Sequence, residues 1–121
     1  MSFKLESNDT TKSARDRFRN QFPGLKIEFF NKGHARTEGS PKKDMVSEEI
    51  GLKKLSPKVE EIDLEISENM TVAEVEALFE EQLGLHVQLF RRTGLNWIET
   101  TRTDHYTLAK QQELYRETQH L

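Results

Sequence analysis

Apolar and acidic residues alternate along Ile62-Asp63-Leu64-Glu65-Ile66, the pattern of a strand with one buried face. Thr71 follows as a helix N-cap. Glu74, three residues on, completes a capping box in which hydroxyl and carboxylate each satisfy a free amide. Val72, Val75, Leu78, Phe79 and Leu83 recur at helical spacing and form one apolar face. Gly84 is placed to end that helix, where positive φ is wanted. Leu85 to Arg92 reads as the next strand, with Val87 and Leu89 on one face and His86, Gln88 and Phe90 on the other. Thr93-Gly94 marks a turn, and Asn96 to Thr101 returns as the hairpin partner. A short helix over 107–115, capped by Asp104 or Thr107, follows, and 116–121 is expected to fray.

The first half repeats this order with weaker signals. At a shift of 61 positions Asn8, Thr10, Phe18 and Gln21 land on Asn69, Thr71, Phe79 and Gln82. Beyond Pro23 the shift becomes 60, and Gly24, Leu25, Phe30 and Asp44 land on Gly84, Leu85, Phe90 and Asp104. Phe3 and Leu5 take the strand positions of Leu64 and Ile66, and Ala14, Phe18 and Phe22 line a helix ended by Gly24. Lys26 to Asn31 is a strand with Ile27 and Phe29 inward. The halves part after it. Residues 33–45, with two glycines and a proline, read as a mobile loop where the second half has a tight hairpin. Ser47 is expected to cap a short helix reaching Leu55, with Glu48 and Glu49 at its positive end and Lys53 and Lys54 at its negative end. Ser56-Pro57 closes it.

The expected architecture is therefore α+β. It is a single domain over 1–121, made of an internally duplicated βαβ-based unit at 1–61 and 62–121 and laid out as a ferredoxin-like sandwich. Two ubiquitin-like halves packed together are the alternative. A unit of about 60 residues buries too little surface to be comfortably stable alone, so a shared core is expected.

Composition narrows the function. The chain has 121 residues, 34% of them apolar and 32% charged, which implies a small core under broad polar surfaces. A net charge of −3 argues against general nucleic-acid affinity but leaves room for a local basic patch. There is no cysteine to form a disulfide, a thiolate nucleophile or a thiolate metal site. No apolar run has the length of a signal peptide or a membrane span, so a soluble cytoplasmic protein is expected.

No phosphate loop, nucleophile elbow or zinc-protease helix motif is present. His34, His86 and His105 would make a metal site only if the fold gathered them, and their spacing gives no reason for that. Neither catalysis nor a cofactor is expected. Two basic clusters stand out, Lys32, Arg36, Lys42 and Lys43 in the first half and Arg91, Arg92 and Arg102 in the second. With Phe30, Phe90 and Trp97 interleaved, they could stack and clamp a single-stranded nucleic acid on a sheet face. The same residue types anchor protein interfaces. The favoured reading is a non-catalytic module with a protein partner, contacted through Phe30, Phe90, Arg91, Arg92, Trp97 and Arg102. Single-stranded nucleic-acid binding is the second reading, and an enzyme with a site assembled from distant residues the third.

The run Asn96-Trp97-Ile98-Glu99-Thr100-Thr101-Arg102-Thr103-Asp104-His105-Tyr106-Thr107-Leu108, with Gln111-Gln112 after it, resembles a pattern near the C-terminus of a family of small uncharacterised bacterial proteins. Leu25 to Phe30 and Gly39 to Asp44 are similar to the same family. The resemblance implies a compact bacterial domain and brings no catalytic or binding residue with it.

Overall fold

The computed structural model describes residues 2–31 and 42–119. Over these the chain runs β1 (Ser2–Leu5), α1 (Thr11–Gln21), β2 (Leu25–Phe30), α2 (Leu52–Leu55), β3 (Ile62–Glu65), α3 (Val72–Leu83), β4 (His86–Thr93), β5 (Asn96–Glu99) and α4 (Leu108–Thr118). Short 3₁₀ turns occupy Lys42–Asp44 and Thr101–Thr103. The fold is α+β, as the pattern of residues predicts.

The sheets differ from the expected sandwich. A split βαβ unit holds its two strands in one sheet with a third strand between them. Here β1 pairs with β3 in one antiparallel sheet, while β2, β4 and β5 form another in that order. Each sheet draws strands from both halves of the chain, β1 with β3 and β2 with β4 and β5, so the halves are not separate ubiquitin-like bodies either. In the registers, Phe3 lies opposite Leu64 and Glu28 opposite Gln88. These are pairs that the 61- and 60-residue shifts of the sequence superpose. The reason is burial. β1 and β3 turn Phe3, Leu5 and Leu64 inward, β2 and β4 turn Ile27, Phe29, Val87 and Leu89 inward, and all belong to one core.

The helices are fixed at their first turns. Thr10 and Ser13 form a capping box on α1, and Thr71 and Glu74 form one on α3. Each of these starts is then hooked by a later segment. Thr11 N donates to Ile50 O and Leu52 N to Asp9 O, both at 2.9 Å. Val72 N donates to Tyr106 O at 3.0 Å and Leu108 N to Met70 O at 2.9 Å. Leu52 and Leu108, at the starts of α2 and α4, are both fully buried.

That hook explains why the helix expected from Ser47 is shorter. Glu48 O accepts the Thr11 hydroxyl at 2.9 Å and Ile50 bridges to α1, so the backbone before Gly51 is spent on other partners. Ser47 is exposed and caps nothing; α2 starts after Gly51 with no side-chain cap. Of the loop expected at 33–45, residues 33–41 lie outside the described residues. Lys42–Asp44 form the 3₁₀ turn, and Met45 bridges to Phe30. α4 continues to Thr118, past the point where fraying is expected, because its last turns pack on the β4–β5 hairpin: Thr118 Oγ1 accepts from Gly94 N at 3.4 Å.

Two polar details hold the frame. The Asp9 carboxylate, almost fully buried, takes two hydrogen bonds from Arg17 at 2.9 and 3.0 Å, one from Ser13 Oγ at 2.6 Å and one from Glu6 N at 2.7 Å. Arg17 also donates to Lys4 O and Gln21 to Ser2 O, which closes the outer edge of β1. At Gly24, φ is +88°, and a Cβ there would fall against the Tyr115 ring of α4.

Burial by itself would push the Asp9 carboxyl up, but Arg17, Ser13 and the Glu6 amide together hold it below the usual carboxylate range. Its contribution to stability is therefore complete above the unfolded value of about 3.9 and is lost as pH falls through the lower folded value. Asp9→Asn should cost about 2 kcal/mol near neutral pH and flatten that acid limb, read from urea midpoints between pH 2 and 7. Gly24→Ala should cost more than the roughly 1 kcal/mol of left-handed strain. In a Tyr115→Ala background only the strain should remain, which the same midpoints measure.

Candidate interaction surface

The β4–β5 hairpin has two unlike faces. Alternation along the strands puts Lys26, Phe90, Arg92, Trp97 and Glu99 on the side away from the core, where Arg92 lies opposite Trp97 and Lys26 opposite Phe90. Leu25, Arg91 and Ile98 share the other side.

On the outer face Trp97 is half-buried, and three cations surround it. The Arg19 guanidinium, from α1, lies 4.9 Å from the ring centroid, Lys26 Nζ also 4.9 Å, and the Arg92 guanidinium 5.6 Å. Lys26 is also 5.3 Å from the Phe90 ring. Each such contact contributes about 0.5–1 kcal/mol in a partly exposed setting. The carboxylates nearby are engaged elsewhere. Glu28 is shared by Arg15 at 3.3 Å and Lys26 at 3.1 Å, and Asp16 is held by Lys12 at 2.7 Å. Arg19 and Arg92 form no ion pair with a carboxylate among the described residues; Arg92 Nε donates to Gly94 O at 3.2 Å. The two arginines and Trp97 line a cleft of about 620 Å³, completed by Asn20, Tyr115 and Gln119. A second depression of about 300 Å³ shares Asp16 and Arg19 with it.

The residues expected to form one contact surface are thus divided. Trp97, Arg92 and Phe90 stay together on the outer face. Phe30 is on that face but buried, at 3% exposure, beside Leu55 and Leu85. Arg91 points the other way and is a structural tie: it donates to the Gln111 side-chain oxygen, and Gln111, fully buried, donates at 2.9 Å to both Thr103 O and Thr103 Oγ1. Desolvation lowers the Arg91 pKa, partly opposed by Tyr106. Arg102 is exposed on the 3₁₀ turn and is not among the cations around Trp97. Arg19 and Lys26 complete the cluster, and sequence reasoning passes over both. Lys26 had a usable signal, since alternation with Leu25 and Ile27 sends it outward. Arg19 had none, because its approach to Trp97 depends on how α1 packs beside β2.

The histidines do not converge. His86 is half-buried on β4, with Nδ1 3.5 Å from Glu80, and His105 is exposed with its ring edge-on to Tyr106. His34 lies outside the described residues, as do Lys32 and Arg36. Among the described residues no group of three or more His, Asp or Glu side chains is arranged to hold a metal ion. No helix among them is long and apolar enough to cross a membrane. Comparison of the chain with protein-family models, with curated proteins and with solved structures finds no match.

Trp97 is the single tryptophan, so its fluorescence reports on this surface directly. Acrylamide should quench it to an intermediate degree, and Arg92→Gln should raise the quenching by uncovering the ring. An indole fully protected from acrylamide in the monomer would overturn the assignment.

Proposed function

We propose that the chain is a non-catalytic binding module that takes an anionic protein partner on the outer face of the β4–β5 hairpin. The observation that carries this reading is the concentration of Arg19, Lys26 and Arg92 around one half-buried tryptophan, with both arginines free of carboxylate partners among the described residues. Three like charges within 5.6 Å of one point repel each other. The ring quadrupole offsets part of that cost, and an acidic ligand would offset the rest. It is notable that this happens on a chain of net charge −3, since a local field can steer a partner independently of the total.

Several features favour protein over nucleic acid. Base stacking needs open ring faces in a row. Phe30 is buried, Phe90 is covered by Lys26, and Trp97 already carries its own cations. An enzyme is less favoured because the cleft holds no histidine, and its carboxylate, Asp16, is engaged by Lys12.

We also read the frame as a duplicated unit. The registers centred on Phe3–Leu64 and Glu28–Gln88 support this, and so do the two matching pairs of hydrogen bonds at the helix starts. On this reading it is a compact bacterial domain, as the resemblance over 96–108 and 111–112 implies, acting in the cytoplasm, as the lack of a long apolar run suggests, and the hairpin is where the second copy diverged to bind.

Tagged protein recovered from its own cells after nuclease treatment should retain a protein partner that Arg19→Glu/Arg92→Glu loses while keeping the wild-type circular dichroism spectrum and melting temperature. A partner retained equally by the double variant would refute the assignment. Salt-sensitive binding to single strands, lost in the same variant, would move it to nucleic acid.

A further inference from the structure

We infer that the partner engages this surface as an added β-strand on the open edge of β5, and that the strand it offers alternates acidic and apolar residues. The inference rests on the protein-binding reading above and adds the mode and the chemistry.

β5 is the edge of its sheet. Thr100 N donates to Leu89 O at 3.2 Å, which sets the phase of the ladder. In an antiparallel pair every second residue faces its neighbour strand, so Asn96 and Ile98 turn their backbone groups to β4. Trp97 and Glu99 turn theirs outward, to the open side. The chain treats its edges differently. The outer edge of β1 is closed by side chains of α1, Arg17 on Lys4 O at 2.7 Å and Gln21 on Ser2 O at 3.0 Å. On β5 no described side chain donates to the outward carbonyls.

The side chains around this edge match such an addition. The two exposed large hydrophobic residues among those described both belong to the hairpin: Leu95, 88% exposed at its tip, and Ile98, 39% exposed on the inner side of β5. Exposed edges are normally blunted by charge or covered, yet this one carries a single charge, Glu99, and presents Leu95, Trp97 and Ile98 in four residues. An added strand alternates its side chains between the two faces. Positions beside Trp97 meet its indole, whose ring Lys26 approaches from β2, Arg92 from β4 and Arg19 from α1, and positions beside Ile98 meet an apolar side chain. Charge complementarity on one face and apolar contact on the other select an acid–apolar–acid segment. The hairpin is also held in advance of binding. Gly94 N is bonded to Thr118, and Arg91 is tied through Gln111 to Thr103. Less ordering is then lost on association.

The test uses the full chain and an acetylated, amidated hexapeptide, Glu-Val-Glu-Val-Glu-Thr, followed by Trp97 fluorescence. The peptide should bind and shift the emission. Arg19→Gln/Arg92→Gln should weaken it about tenfold, the loss of roughly 1.4 kcal/mol expected for charge-assisted contacts. Two N-methylated versions, each blocking one alternate set of peptide amides, should differ: one binds like the parent and the other about tenfold more weakly, since one set alone faces β5. Equal binding of both methylated peptides and the parent overturns strand addition and leaves the protein-binding reading standing. Binding of hexaglutamate as tight as the alternating peptide overturns the acid–apolar pattern. Oligothymidylate binding more tightly than any peptide overturns the inference together with the protein reading. That reading also falls by itself if the partner recovered from cells is indifferent to the charge-reversed variant.

Discussion

Everything in this molecule depends on the exchange of strands between the halves of the chain. A strand must pair its amides and carbonyls, and apart from the β4–β5 hairpin the described strands do so across the two halves. β1 finds its partner in β3, and β2 finds its partner in β4. The pairing brings Phe3, Leu5, Ile27 and Phe29 from one half into one core with Leu64, Ile66, Val87 and Leu89 from the other. Phe3 shows the result most directly, since its ring packs against Phe18 of its own half and Phe79 of the other, at 5.7 and 5.8 Å. The α1 and α3 starts are secured in the same manner, by segments that return from beyond β2 and β5 to bond their first turns.

Once the frame is fixed in this way, the two halves are free to differ where they do not hold it together. The β4–β5 hairpin belongs to the second half alone in sequence, where the first half has two glycines and a proline. On its inner side Arg91 is tied to the framework through Gln111, while Ile98 stays exposed. Its outer side carries three cations and a tryptophan that the core does not need. Two arginines with no carboxylate ion pair among the described residues, an open strand edge and exposed leucine and isoleucine coincide at one hairpin. Local inconsistency of this sort, in a chain whose other parts agree with their surroundings, is the physical ground for the binding surface proposed above.

Local chemistry was legible from the residues wherever it acts over a few positions. Alternation marks β3, and the Thr71–Glu74 box and Gly84 bound α3, as the structure has them; the expected Thr93-Gly94 turn sits one residue later, at Gly94-Leu95, because Thr93 still pairs with Asn96. Thr10 caps α1, although its reciprocal partner is Ser13, which the absence of an acidic residue at that position hid. The reading misled where a local signal was outbid by a distant one. Ser47 with its flanking charges has the composition of a helix start, but the backbone there is taken up by α1. Phe30 and Phe90 occupy matching positions, yet one is buried beside Leu55 and the other lies half open under Lys26.

The sequence by itself determined the class of the fold, the order of its elements, the face each strand buries and the concentration of aromatic and basic residues near the hairpin. These follow from periodicity and capping, which are properties of neighbours along the chain. The tertiary structure alone decided that the strands form two sheets shared between the halves. It also brought Arg19 and Lys26 to Trp97 and tied Arg91 to Gln111. Those outcomes depend on which distant strands pair and on how α1 settles beside β2, and side-chain alternation does not encode the identity of a partner strand.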